Sequence, residues 1–160
     1  MKNWIMMLAV AASFAGSAPR LALAQAQEES VNIEASEMEI IDADKRAIFR
    51  GDVVAQRSSE TIKADQMVVD YVDVKQPDGT SKSEVDTMDC TGGVTITTPT
   101  QTITGTRAVF HIRRDELNVT GNVKVVQGKT VLRGPELVAN LKTKRTVMKG
   151  GRVKGTFVPK

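Results

Sequence analysis

Residues 47–53 (AIFRGDV) place apolar residues two apart, then a glycine, then another apolar residue. The pattern returns at 88–94 (MDCTGGV), 117–123 (LNVTGNV) and, less regularly, 146–153 (TVMKGGRV). Its glycines, Gly51, Gly92, Gly121 and Gly150, are 41, 29 and 29 residues apart. A second series interleaves with the first: IEAS from Ile33, IKAD from Ile62, ITGT from Ile103 and LRGP from Leu132, separated by 29, 41 and 29 residues. Together they define a 29-residue unit of two strands, present four times and lengthened once by 12 residues between Ile62 and Gly92. Self-similarity at a fixed period marks stacked supersecondary units.

Period-2 alternation, rich in β-branched residues, fills the chain after Ala24, and helical periodicity is absent there. The second strand of each unit keeps its parity through the glycine: Ala47, Phe49, Gly51, Val53 and Ala55; Met88, Cys90, Gly92, Val94 and Ile96; Leu117, Val119, Gly121, Val123 and Val125. The first strand slips once. Ile33 and Ala35 are followed by Met38 and Ile40, and Ile62 and Ala64 by Met67, Val69 and Tyr71. Ile103 and Gly105 are followed by Ala108, Phe110 and Ile112, and Leu132 and Gly134 by Leu137, Ala139 and Leu141. Such a slip turns side chains to the other face unless the strand bends or bulges. Four strands are therefore expected to turn the same corner, passing between two sheets. Turns are expected at 42–45, 58–60, 76–80 (QPDGT), 98–101, 113–115, 127–129 and 143–145. The 12-residue extension contains QPDGT and most simply lengthens one hairpin. The expected fold class is all-β: a twisted β-jelly roll built from antiparallel two-strand repeats, with an apolar groove between two sheets.

The interior is the informative part. After residue 24 the only aromatics are Phe49, Tyr71, Phe110 and Phe157. The inward positions are otherwise aliphatic. Ile33, Met38, Ile40, Phe49, Val53, Ile62, Met67, Val69, Val94, Phe110, Ile112, Val119, Val123 and Leu137 are the candidate lipid-binding lining. Each buried methylene contributes about 0.8 kcal/mol, so one long acyl chain would give on the order of 10 kcal/mol before ordering costs. Periodicity alone does not separate this groove from an ordinary packed core.

Composition narrows the function classes. Lys2, an apolar run over 5–15 and Ala22-Leu23-Ala24 read as a secretory signal peptide over 1–24, with one domain over 25–160. The alternative is a retained membrane anchor, against which Ala22-Leu23-Ala24 argues. Without Lys2 and Arg20, 20 basic residues stand against 19 acidic, so the main argument for nucleic acid disappears. The charge is unevenly placed. Residues 25–44 hold seven acids and no base, and residues 141–160 seven bases and no acid, which makes two complementary docking edges one reading and two solvated ends the other.

No catalytic set is found. His111 stands alone between Phe110 and Ile112 and is expected to point outward. Asp42-Ala-Asp44 lacks the glycine and distal glutamate of a calcium loop, so no metal ligands and no cofactor are expected. Cys90, the single cysteine, occupies the slot of Phe49 and Val119 and reads as buried filler.

The leader followed by VNIEASEMEI, AIFRGDVVAQ, TIKADQMVVDY, GTRAVFHI, ELNVTGNVKVV and LRGPELVANL resembles the OstA-like family of Gram-negative envelope proteins. The resemblance covers about residues 31–153. It implies a non-enzymatic periplasmic carrier of lipopolysaccharide, with lipid A acyl chains inside a twisted jelly roll and sugars outside. It also implies head-to-tail self-association in a bridge from an inner-membrane export complex to an outer-membrane translocon. By position, the family's N-terminal lipid-contacting strand falls on Val31 and Ile33, and its central lining strand on Phe110 and Ile112. A membrane-anchored sister component, or a structural β-domain with a dry core, are the alternatives.

Overall fold

The computed structural model describes residues 31–158, so the expected leader lies outside the described residues. Ten strands form one antiparallel sheet: β1 (Asn32–Glu34), β2 (Glu37–Ile41), β3 (Arg46–Arg57), β4 (Glu60–Lys75), β5 (Ser81–Thr97), β6 (Thr102–His111), β7 (Glu116–Gln127), β8 (Thr130–Asn140), β9 (Arg145–Lys149) and β10 (Lys154–Thr156). Consecutive strands are neighbours from β3 to β8. β1 and β2 both pair with β3, and β9 and β10 both pair with β8. Each of these short pairs is one strand broken at its corner, so the body has eight full-length strands in four two-strand units.

The corner is where the repeat expects it. Register shifts fall between Arg50 and Val53, Thr91 and Val94, and Thr120 and Val123. In the β3–β4 ladder Arg50 pairs with Gln66 and Val53 with Ala64, so Gly51 and Asp52 oppose Asp65 alone. The parity slip of one strand and the glycine of its neighbour are thus two sides of a single bulge. Positive φ at Gly51, Gly92 and Gly121 is followed by positive φ at Asp52, Gly93 and Asn122, residue types that tolerate the left-handed region. A side chain on the first of each pair has no room: a Cβ on Gly92 would lie 2.5 Å from Asp65 Cβ.

At each bulge the sheet folds over on itself. A single flat layer leaves both faces wet, yet Met67, Cys90, Ala108, Val119 and Leu137 are fully buried. The buried apolar residues on both sides of the corner form one cluster, so the two half-sheets lie face to face. Burying one such side chain contributes about 1.5–3 kcal/mol. This is the β-jelly roll read from the repeat. The lengthened unit appears as the β4–β5 hairpin, whose ladder continues through Tyr71–Val85 to Lys75–Ser81 before the turn at 76–80.

Candidate functional site

The inner face of the folded sheet is the candidate site. Nearly every strand that lines it does so at the positions parity assigns. Phe49, Val53, Met67, Val69, Val94, Phe110, Val119, Val123 and Leu137 are buried in the shared cluster. Ile33 and Ile62 are half-buried and pack against it. Towards the N-terminal end of the body the same face emerges into solvent. Met38 pairs with Phe49 and Ile40 with Ala47, which puts them on the inner face, yet they are 59% and 66% exposed. β2 is an edge strand with a neighbour on one side only. Val31 precedes β1 and is also exposed. At the other edge Met148 pairs with buried Leu137 and is half-buried.

One inward assignment is corrected. Ile112 leaves β6 and opens a 3-10 turn over Ile112–Arg114, closed by Asp115 in the left-handed region. It is 40% exposed, so the alternation ends at Phe110. Some contributors were not among the residues read as lining. Met148 and Leu132 extend the apolar face, and so does Val85 of the long hairpin. Val85 was hidden because a second register shift, between Asp70 and Tyr71, skips Asp86 on β5 and breaks the alternation with Met88. The parity change from Val85 to Met88 was the available signal.

The outer face is charged and cross-linked. Arg50 donates to Glu37 and Glu39 at 3.0 Å each, tying β2 to β3. Arg107 grips Asp89 with two donors, and its hydrogen bonding to that carboxylate raises the guanidinium pKa further. These pairs are exposed and add little stability individually. The acidic residues Glu34, Glu37 and Glu39 lie on the β1/β2 edge, and Lys149 and Lys154 lie on the β9/β10 edge. The two edges terminate the sheet at opposite ends.

Chemistry elsewhere is sparse. Among the described residues no three His, Cys, Asp or Glu side chains gather as metal ligands. His111, the last residue of β6, lies in a surface cleft with Asp86, Arg113 and Arg114. Burial pushes the Cys90 thiol up to about 12, with Asp89 adding to the shift. At neutral pH the thiolate, which is the reactive form, is then negligible. Cys90 is expected to resist a thiol reagent in the native protein and to react at once in denaturant; rapid native labelling would place it outside the core.

A second cleft, of about 380 Å³, opens where the inner face emerges beside the long hairpin. Ile40, Ala47 and Tyr71 contribute apolar surface to it, and Asp42, Lys45, Arg46 and Ser83 polar groups. Two ion pairs brace it: Lys45 Nζ lies 2.8 Å from Asp73 Oδ2, and Arg46 Nε donates to Asp70 Oδ1 at 2.6 Å. Hydrogen bonds from Lys45 and Ser83 hold the Asp73 carboxyl below the usual carboxylate range. Parity had marked Ile40, Ala47 and Tyr71; the polar residues carry no periodic signal.

Comparison with known proteins agrees with this architecture. The structure matches the crystal structure of LptH, the LptA homologous periplasmic component of the lipopolysaccharide transport device of Pseudomonas aeruginosa, with a TM-score of 0.68 and 14% identity, over 82% of this chain and 97% of that one. At that identity the match speaks for the fold. An uncharacterised protein of Rhizobium meliloti (strain 1021) is 26% identical over 129 residues, 79% of this chain and 69% of that protein. The model of the family described as LptA/(LptD N-terminal domain) LPS transport protein matches residues 32–145, most of the chain, and the chain belongs to this LptA-like, OstA-type family of lipopolysaccharide transport proteins.

Proposed function

We propose that this protein is a soluble periplasmic carrier that binds lipopolysaccharide with its acyl chains between the two half-sheets. In this reading it forms part of a head-to-tail bridge between an inner-membrane export complex and an outer-membrane translocon. One observation carries the proposal. A continuous apolar face runs from the buried interior to the sheet edges and ends at β2 in Met38 and Ile40, side chains left exposed among the described residues. Apolar surface of this kind marks an interaction site. Family membership supplies the class of cargo.

The middle of the interior is filled by the chain's own side chains. Acyl chains therefore enter as the half-sheets part, with the line of bulges serving as the hinge. The filled middle also favours the second reading, a structural β-domain whose core stays dry. Photo-crosslinking separates the two. A crosslinker replacing Ile33 or Phe110 is expected to capture lipopolysaccharide, and one replacing Glu34 or His111 is not. Equal capture from both parities removes the inside–outside assignment, and capture from neither favours the dry core.

A further inference from the structure

The long hairpin has no part in the repeat, and it joins the apolar face only at its base, through Tyr71 and Val85. It lies on one lip of the folded sheet, where strand ends meet solvent. Beyond the Tyr71–Val85 pair its ladder adds four more pairs, from Val72–Glu84 to Lys75–Ser81. At about 3.3 Å per residue, this raises the lip by roughly 13 Å. Its body-facing side changes character over one step of the pleat. Tyr71 and Val85 pair with each other and pack on the core. Asp73 and Ser83, the next pair on that side, bond to each other, and Asp73 also pairs with Lys45.

The cleft beneath the hairpin shows the same change of character. Its floor, Ile40, Ala47 and Tyr71, is continuous with the interior. Its rim holds acceptors in Asp42 and in Ser83, whose hydroxyl proton goes to Asp73, and donors in Lys45 and Arg46. Arg46 gives Nε to Asp70, and among the described residues its terminal nitrogens have no other hydrogen-bond partner. A fatty chain has no use for such a rim, and a bare anion has no use for such a floor. A sugar ring fits both, with C–H faces that suit an aromatic and aliphatic floor and hydroxyls that donate and accept around the edge. The volume lies within the range of small-ligand sites.

We propose that this cleft is a sugar subsite that holds the head group of the cargo where its chains leave the interior. The inference rests on the carrier reading. It assigns the hairpin a role in head-group selection: Tyr71 carries the ring, and Asp42, Arg46 and Ser83 read its hydroxyls.

Three probes and two variants test it, with binding measured by calorimetry on the full protein. The probes are lipopolysaccharide, palmitate as a chain without a sugar, and the deacylated, dephosphorylated saccharide as a sugar without chains or phosphate. Ser83→Trp fills the cleft from an exposed hairpin position, and Asp42→Asn with Arg46→Gln removes charge from the rim. Both variants are expected to bind lipopolysaccharide and the saccharide at least tenfold more weakly and palmitate as the wild type does. If both variants bind all three probes like the wild type, the sugar subsite is wrong and the carrier reading stands. If a folded variant loses palmitate as well, the cleft holds chains instead of sugar, which also overturns the subsite. A wild-type protein that binds neither lipopolysaccharide nor palmitate removes the carrier reading and the subsite with it.

Discussion

Phe110→Asp is expected to abolish the proposed lipopolysaccharide transport, whereas His111→Asp is expected to leave it intact. Phe110 sits on β6 between Met88 of β5 and Leu117 of β7, on the inner face, and is nearly buried. Removing a buried phenyl ring costs about 3–5 kcal/mol. A carboxylate left without a partner in that lining costs several kcal/mol more, or takes up a proton. Domain stability is about 5–15 kcal/mol, so this change consumes much of it. The variant is therefore expected to lose transport partly by unfolding. Ile40→Asp separates the two causes. Ile40 is two-thirds exposed, so its replacement costs the fold little, yet it sets a charge on the apolar face where that face opens. Loss of transport with unchanged thermal unfolding in Ile40→Asp is the expected outcome. Full transport in both aspartate variants, each folded, would falsify the apolar channel.

Charge reversal on one edge is expected to break the proposed self-association, and reversal on the opposite edge of a partner to restore part of it. The last strand pairs Lys154 with Arg133, Lys149 with Glu136 and Met148 with Leu137. In the repeat, Glu34, Glu37 and Met38 of the first unit hold the places of Arg133, Glu136 and Leu137 in the last. Continuing the ladder across a junction thus sets Lys154 opposite Glu34, Lys149 opposite Glu37, and Met148 opposite Met38 of the next copy. The strand directions also alternate correctly, since the first and eighth strands of the body run antiparallel. Such a contact is heterologous and propagates instead of closing as a two-fold pair. Strand pairing supplies most of the affinity, because exposed ion pairs are worth about 0–1 kcal/mol each. The charges set order and register.

Lys149, Arg152 and Lys154 changed together to glutamate should therefore shorten the oligomers seen in sedimentation, as should added salt. A partner with Glu34, Glu37 and Glu39 changed to lysine should lengthen them again. Restoration is partial because Arg50 already holds Glu37 and Glu39, and Glu136 lies 3.9 Å from Lys149. Register has its own readout: cysteines at 38 and 148 should crosslink between copies, and cysteines at 38 and 154 should not. A strict monomer at all concentrations, or crosslinking without regard to register, would remove the junction and leave the channel untouched.

The sequence by itself determined the repeat, the strand faces and the corner. Period-2 alternation is a local property of an extended chain, because successive side chains point to opposite faces whatever lies beyond them. Every buried apolar residue of the core, from Ala47 to Ala139, stands at a position that parity turned inward. The bulges were legible for a similar reason: a slip beside a recurrent glycine leaves few other geometries. How deeply each inward residue is buried was decided by tertiary structure alone. Met38 and Phe49 share a face and a ladder rung, yet Phe49 is covered while Met38 on the edge strand is largely exposed. Ile112 had the right parity, but its backbone had already turned into a 3-10 helix. The cleft under the long hairpin depends on Ile40, Lys45, Tyr71 and Ser83, which come from different strands and a turn. Alternation within a strand reports which way a side chain points; what stands opposite it is set only when the sheet folds at its bulges and distant strands meet.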